Sequence, residues 1–151
     1  MNLTEDFETV TWPETHFAFV EKRGPFLQVA PEAWRIANSL RPLIEERNRI
    51  EGHLSLYQMG PSVYRAGFKL AAPPIGLPAG LAYELFPGGR YLRFVLTGPY
   101  SQLPAASQRV FQIVSRANRM LRMDFCIEHY ANDPRTTPEE KLVTEILLPV
   151  S

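Results

Sequence analysis

One short pattern occurs twice in this sequence, and it constrains the fold more than any other feature. A strand-like run ends in Gly24-Pro25-Phe26, and a second one ends in Gly98-Pro99-Tyr100, 74 residues later. Each is followed by a helical stretch and then by two strand-like runs joined by a turn. Repetition of one order of elements indicates an internal duplication. We therefore predict a single domain, residues 1–151, built from similar halves at about 7–73 and 81–150.

The two helical stretches define the fold class. Both carry an apolar stripe at helical spacing, which must cover another surface. Pro31 fits a first turn, whereas Pro42 removes a backbone donor at a cost of about 3 kcal/mol and predicts a kink or break near residues 39–41. Pro104 opens the second helix. We predict an α+β fold of duplicated strand-helix-strand-strand units, with an antiparallel sheet and two long helices on one face.

Charge and hydropathy exclude several classes of protein. Sixteen basic residues balance sixteen acidic ones, so no net field draws the chain to nucleic acid or anionic lipid. No run of 18 apolar residues occurs, and the first 15 residues contain four acids and no Lys or Arg. A membrane span and a secretory signal are therefore not expected. We predict a cytoplasmic protein without direct DNA or membrane binding.

The residues that usually carry metal or nucleophilic chemistry are sparse. Cys126 is the lone cysteine, and its apolar neighbours indicate a buried thiol. The three histidines are scattered, with no second ligand at metal spacing. No phosphate loop or nucleophile elbow appears either. We expect no metal and no cofactor.

The run from Phe125 to Tyr130 contains the main candidate for a binding site. Alternation places Cys126, Glu128 and Tyr130 on one face of a strand. Alignment of LYQM with IEHY makes Tyr57 the counterpart of Glu128 in the first half. Equivalent strands of a duplicated domain commonly meet near the symmetry axis, so both side chains are predicted to face one central, aromatic-lined ligand cleft. The alternative is an exposed strand glutamate, because Glu is seldom buried unpaired.

Further candidates are weaker. Glu145 and Glu84 also lie in strand-like runs, where a carboxylate more often faces solvent. If two carboxylates approached each other, one could have a raised pKa and act as a general base. Among aromatic residues that otherwise belong to the core, three are predicted to approach the cleft: Trp34, Tyr83 and Phe111.

Basic residues recur along the second helical stretch. Together with Gln112 they are spaced three or four positions apart and are predicted to share one helix face: Arg109, Arg116, Arg119 and Arg122. A solvated face explains them, and a docking surface for an anionic partner is the alternative.

The duplicated unit, together with the ending EHYANDPRTTPEEKLVTEILLPV, resembles the GyrI-like small-molecule-binding domain, from about Phe7 to Val150. Related domains are the effector-binding part of MerR-type and AraC-type regulators. The resemblance implies a central cleft in which an acid meets cationic or aromatic ligands, with Glu128 and Tyr130 matching the glutamate-x-tyrosine motif. The chain departs from the family in its first hairpin, YQMGPSVYRAG, which lacks an acid, and at Pro42.

The resemblance implies three functions. The first is binding of an apolar, aromatic or cationic compound by a stand-alone, multidrug-type protein. The second is hydrolysis of reactive cyclopropane-containing compounds, with Glu128 activating water as a general base. The third is a protein-interaction role such as inhibition of DNA gyrase. Residues 1–15 are too few for a DNA-binding domain, so this chain alone is not expected to regulate transcription.

Overall fold

The computed structural model describes residues 1–151, and eight strands and two α-helices make up its regular structure. The strands are β1 (Asn2–Trp12), β2 (Thr15–Arg23), β3 (Ile50–Gln58), β4 (Val63–Leu70), β5 (Ala82–Phe86), β6 (Gly89–Thr97), β7 (Cys126–Tyr130) and β8 (Val143–Pro149). The helices are α1 (Phe26–Glu45) and α2 (Leu103–Arg116). The strands pair antiparallel, which confirms the predicted α+β class. The chain divides into unit 1 (Met1–Trp12 and Gly89–Ser151) and unit 2 (Pro13–Gly88).

The duplication is present, but its boundaries differ from the predicted halves. The order strand, helix, strand, strand occurs as β2-α1-β3-β4 in unit 2 and as β6-α2-β7-β8 in unit 1. One further strand precedes each copy and pairs with a strand of the other copy. The strand β1, before the first copy, pairs with β6, and β5, before the second copy, pairs with β2. The N-terminal strand escaped prediction because most of its side chains are exposed, and an exposed edge strand lacks a clear apolar alternation.

The glycine of the repeated Gly-Pro-aromatic pattern has a physical reason in both units. Gly24 has φ +135° and Gly98 has φ +149°, a region that side chains with a Cβ rarely adopt. The proline that follows each glycine holds the chain extended before the helical segment, with ψ 128° at Pro25 and ψ 150° at Pro99. The pattern therefore forms the same strand-to-helix turn twice.

Unit 2 contains four strands in the order β3-β4-β2-β5, with α1 packed against β2 and β4. The helix begins at Phe26, directly after the turn, and runs through Pro31 and Pro42 as one segment. Of the predicted kink or break near residues 39–41, the break is therefore wrong, and the kink stays a prediction. Pro42 is solvent-exposed, while Ile44 in the following turn is fully buried and holds the helix end against the sheet. Burial of this end offsets the hydrogen bond that the proline removes.

Unit 1 contains four strands in the order β1-β6-β8-β7. A 3₁₀ turn at Tyr100–Gln102 leads into α2, whose buried residues form a stripe: Leu103, Ala106, Val110 and Val114. The helix α2 ends at Arg116, and Leu121 beyond it forms an isolated bridge to Val150. Another 3₁₀ turn, Glu139–Lys141, precedes β8, and no side chain caps its start. No helix of the protein has both the length and the apolar character needed to cross a bilayer.

Candidate functional site

Glu128 lies in the middle of β7, on the same face as Tyr130, as the alternation predicted. The Tyr130 hydroxyl donates a hydrogen bond of 2.9 Å to Glu128 Oε1. Glu128 Oε2 accepts no hydrogen bond, yet it is not sealed from solvent. No Lys, Arg or His side chain forms an ion pair with the carboxyl group. Glu128 thus has one oxygen held by a phenol and one oxygen open to a ligand.

The surroundings of Glu128 change its protonation. Burial disfavours the charged form and raises the pKa of its carboxyl from 4.5 to about 7, while the hydrogen bond from Tyr130 opposes this shift. Both protonation states are therefore populated near neutral pH. Burial, with the nearby Glu128 and Asp124, also raises the pKa of the Cys126 thiol to about 12. Cys126 is neutral and buried, so it is not an activated nucleophile.

Aromatic and apolar side chains surround the acid within unit 1. The ring of Tyr130 meets the ring of Tyr100 edge to face, with 5.3 Å between centroids. Burial raises the pKa of the Tyr100 phenol, and Asp133 adds to the effect. The neighbouring strands present a buried floor on the Glu128 face: Thr144 and Ile146 from β8, and Phe94 and Leu96 from β6. Thr144 Oγ1 is buried without a hydrogen-bond partner.

The opposite face of β7 carries a separate ionic chain. His129 pairs in register with Glu145, and its Nδ1 lies 2.6 Å from Glu145 Oε1. Arg93 Nη1 donates to Glu145 Oε2 at 2.8 Å, and Arg93 also pairs with Glu8 at 3.1 Å. The hydrogen bond with His129, supported by Arg93, lowers the pKa of the Glu145 carboxyl despite partial burial. The structure therefore separates Glu145 from Glu128, which it was predicted to accompany in the cleft.

Unit 2 places Tyr57 in an aromatic cluster. Its ring lies 5.6 Å from that of Phe26, which in turn lies 5.8 Å from Tyr64. Trp34 on α1 joins this cluster, because its Nε1 donates to Tyr64 Oη at 3.0 Å and to Ser55 Oγ at 3.1 Å. The two hydroxyl oxygens are themselves 2.6 Å apart. Tyr57 and Trp34 are thus brought together, whereas a cleft shared by Tyr57 and Glu128 stays a prediction.

The other two aromatic candidates have different surroundings. Tyr83 lies in β5, where its hydroxyl is 2.7 Å from His16 Nδ1 and its ring stacks on the His16 ring. Phe111 is half-buried at the flank of the buried stripe of α2. Their contact with a ligand also stays a prediction.

Sequence reasoning missed Tyr100 and Thr144. Tyr100 was assigned to the core, although its place in the repeated Gly-Pro-aromatic pattern marks it as the equivalent of Phe26. That equivalence was the available signal, because Phe26 contacts Tyr57 as Tyr100 contacts Tyr130. Thr144 gave no signal, since its position beside Tyr130 depends on the strand register.

The predicted arginine face on the second helix is shorter than expected. Arg109 and Arg116 lie on α2, and Arg109 forms a bidentate ion pair with Glu5 of β1. Arg119 and Arg122 lie beyond the helix end. Arg122 covers the ring of Tyr91 and donates to the carbonyl of Arg90 at 2.5 Å. The basic residues therefore serve mainly in contacts within unit 1, and a single arginine face does not form.

Solved structures of other proteins share this fold. EcmrR in its complex with DNA is 14% identical, with a TM-score of 0.79; the match covers 97% of this chain and 57% of that one, so this chain spans little more than half of EcmrR. SAV2435 bound to tetraphenylphosphonium is 13% identical, with coverage of 97% and 94% and a TM-score of 0.75. A hydrolase from Listeria innocua is 15% identical, with coverage of 97% and 92% and a TM-score of 0.58.

These identities are low, so the likeness to the solved structures concerns the fold alone. No curated protein matches the sequence. The family model of the GyrI-like small molecule binding domain matches residues 5–151, which is nearly the whole chain. The match includes β7 with Glu128 and Tyr130 and the two copies of the Gly-Pro-aromatic turn. The chain belongs to the family of GyrI-like small molecule binding domains.

Proposed function

We propose that this protein binds apolar or aromatic organic cations, with the Glu128 carboxylate as the counter-charge. The observation that carries the proposal is the state of this carboxyl group, which is half-buried, bonded through one oxygen to Tyr130, and paired with no basic side chain. A buried charge without a partner is costly. A cationic ligand supplies the missing partner, so the site favours cations over neutral compounds of the same shape when the carboxyl is ionised.

The aromatic rings beside Glu128 support the same ligand class. The rings of Tyr130 and Tyr100 meet edge to face. Aromatic rings prefer this arrangement both in pocket walls and in cores. A cation near a tyrosine ring gains about 0.5–2 kcal/mol from the electron-rich ring face. SAV2435, which has the same fold, was solved with tetraphenylphosphonium, an aromatic cation. Tetraphenylphosphonium is therefore the first ligand to test.

The test is isothermal titration calorimetry of the protein with tetraphenylphosphonium at about pH 8. Glu128→Gln keeps the shape of the side chain and removes its charge, so we expect the binding free energy to weaken by about 1–3 kcal/mol. Glu145→Gln is the matched control, because Glu145 is on the partner strand but faces the other side of the sheet, with its own cationic partners. Its affinity should equal that of the wild type.

The outcomes separate the roles of the two acids. Equal affinity of the wild type and Glu128→Gln would reject Glu128 as the counter-charge. Loss of affinity in Glu145→Gln would instead support the prediction that Glu145 contacts the ligand. Thermal unfolding of each variant, followed by circular dichroism, distinguishes lost contacts from lost folding.

A second function, hydrolysis of electrophilic cyclopropane-containing compounds, has one observation in its favour. A carboxyl group with a pKa of about 7 can accept a proton from water near neutral pH, which is the requirement for a general base. The open Glu128 Oε2 is the atom that would take the proton. The fold is also that of a hydrolase from Listeria innocua, although the two sequences are only 15% identical.

Mass spectrometry tests this second function. The protein is incubated with an electrophilic cyclopropane, and the expected product is the compound with one water added. Glu128→Gln should lose this product while Glu145→Gln keeps it. Equal product from the wild type and Glu128→Gln would exclude Glu128 as the base, and no product from any of the three proteins would exclude hydrolysis of that substrate.

A further inference from the structure

The two oxygens of Glu128 are not equivalent, and this determines where a proton would sit. Oε1 already accepts the hydrogen bond from the Tyr130 hydroxyl at 2.9 Å. Oε2 has no hydrogen-bond partner and keeps access to solvent. A proton taken up by the carboxyl group therefore resides on Oε2. In that state the open oxygen becomes an O–H donor, whereas in the ionised state it is an anionic acceptor.

We propose that the site accepts two chemically opposite classes of ligand: organic cations when Glu128 is ionised, and uncharged aromatic compounds with a strong hydrogen-bond acceptor when Glu128 is protonated. Phosphine oxides, aryl ketones and aryl amides belong to the second class. This inference rests on the proposed function, because both classes use the Glu128 site. It adds that the pH selects the ligand class.

Among Glu128 and the groups of unit 1 that face it, Glu128 is the one whose protonation changes near neutral pH. Cys126 and Tyr130 share its face of β7, and Tyr100 packs on Tyr130. Burial raises the pKa of Cys126 to about 12 and also raises the pKa of Tyr100, so both stay neutral. The neighbouring strand β8 presents Thr144 and Ile146, neither of which titrates.

Asp124 acts on Cys126 and Asp133 acts on Tyr100, but neither shifts the pKa of Glu128, and the other nearby charged residues lie on the opposite face of the sheet. His129 and Glu145 bind each other there, and Arg93 extends that chain. Only burial and the hydrogen bond from Tyr130 shift the pKa of Glu128, so no neighbouring charge fixes the carboxyl in one state. With a pKa of about 7, it changes state between about pH 5.5 and pH 8.5.

The binding of a cation below neutral pH must then release a proton. The proton leaves Oε2 and passes to the buffer, and the carboxylate that remains pairs with the cation. An uncharged acceptor binds without proton release, because the Oε2–H bond stays intact and donates to the ligand oxygen. The two classes therefore show opposite pH profiles at one site.

Two ligands of nearly equal shape provide the experiment. Methyltriphenylphosphonium and triphenylphosphine oxide share three phenyl rings on phosphorus. The first is a cation whose phosphorus carries a methyl group, and the second is a neutral molecule whose phosphorus carries an acceptor oxygen. Their affinities are measured by calorimetry at about pH 5.5 and pH 8.5. Since only the ionised fraction binds the cation, its affinity should rise about 30-fold over this range, and that of the oxide should fall about as much.

Glu128→Gln assigns both profiles to one group. Its amide cannot ionise, so affinity for the phosphonium should be low at both pH values. The amide N–H can still donate to the phosphine oxide, so this affinity should become independent of pH. Any pH dependence that remains in the variant belongs to a group other than Glu128, and Glu145→Gln serves again as the control for the opposite face of the sheet.

The outcomes distinguish the inference from the proposed function. Binding of the phosphonium without binding of the oxide at about pH 5.5 would overturn the inference and leave the proposed function standing. Binding of both ligands with the same pH profile would overturn the inference as well. Failure of the phosphonium to bind at any pH would overturn both.

Discussion

The two units use the same turn to place an aromatic ring beside a strand, but they treat the polar groups near that ring differently. In unit 2, Phe26 contacts Tyr57, and the polar atoms of the cluster bond to one another: Trp34 Nε1, Ser55 Oγ and Tyr64 Oη. In unit 1, Tyr100 contacts Tyr130, and the polar group is the Glu128 carboxyl with one oxygen left open.

Under the proposed function, this difference assigns the charge partner of a cationic ligand to unit 1. Hydrogen bonds closed within a cluster stabilise the fold and leave little to offer a ligand. A desolvated acid without a cation does the reverse, because it costs folding free energy and offers a strong interaction. We infer that the duplication retained a structural polar cluster in one copy and an ionisable one in the other.

The largest expected effect tests whether the two units are equivalent in their apolar cores. Phe68 in unit 2 and Phe94 in unit 1 are both fully buried. Replacement of either by Ala leaves a cavity, and each should lower the free energy of unfolding by about 3–5 kcal/mol. Urea denaturation measures both. If one variant lost less than half as much unfolding free energy as the other, the apolar cores of the two units would not be comparable.

The second effect tests the cost of the acid in unit 1. The folded protein keeps the Glu128 proton up to about pH 7, whereas the unfolded chain releases it near pH 4.5. The contribution of Glu128 to the stability of the wild type should therefore fall as the pH rises from 4.5 to about 7 and then stay at the lower level. Glu128→Gln avoids this loss, so it should be more stable than the wild type by about 3 kcal/mol at about pH 8 and nearly equal to it at about pH 4.

Urea denaturation of both proteins at the two pH values provides the comparison. A stability difference that does not change with pH would contradict the raised pKa of Glu128. A variant less stable than the wild type at about pH 8 would indicate that the carboxylate has a stabilising partner in the folded protein.

The smallest effect tests the closed polar cluster in unit 2. Ser55 is fully buried, and its hydroxyl bonds to Trp34 and Tyr64. Ser55→Ala should lower the free energy of unfolding by about 1–2 kcal/mol, because two buried groups lose a partner. The loss should be the same at about pH 5 and pH 8, in contrast to Glu128→Gln. A loss that depends on pH would link this cluster to an ionisable group.

The sequence predicted the features that depend on local chemistry. The repeated turn, the strand around Glu128 and the shared face of Glu128 and Tyr130 follow from glycine, proline and alternation. The helix through Pro42 and the strand β1 were missed, because each is held by tertiary contacts or pairing that compensates a poor local pattern. The helix and strand propensities of single residues are weak predictors wherever tertiary packing determines the local structure.

The candidate site was predictable only in part for the same reason. Glu128 was singled out by its strand and by its motif, but its pKa depends on the groups that surround it in the fold. Glu145 was grouped with it because both lie in strands, and only the register with His129 places them on opposite faces. Tyr100 lies near the acid through its contact with Tyr130, and its equivalence to Phe26 in the repeated turn was the one signal for this in the sequence.

The most direct test of the central claim is a carbon-13 NMR titration of the Glu128 side-chain carboxyl, assigned by comparison with Glu128→Gln. The account predicts a midpoint at about pH 7 in the free protein and a lower midpoint when methyltriphenylphosphonium is bound, because the cation favours the ionised form. A midpoint near 4.5 that does not move when the cation binds would contradict it.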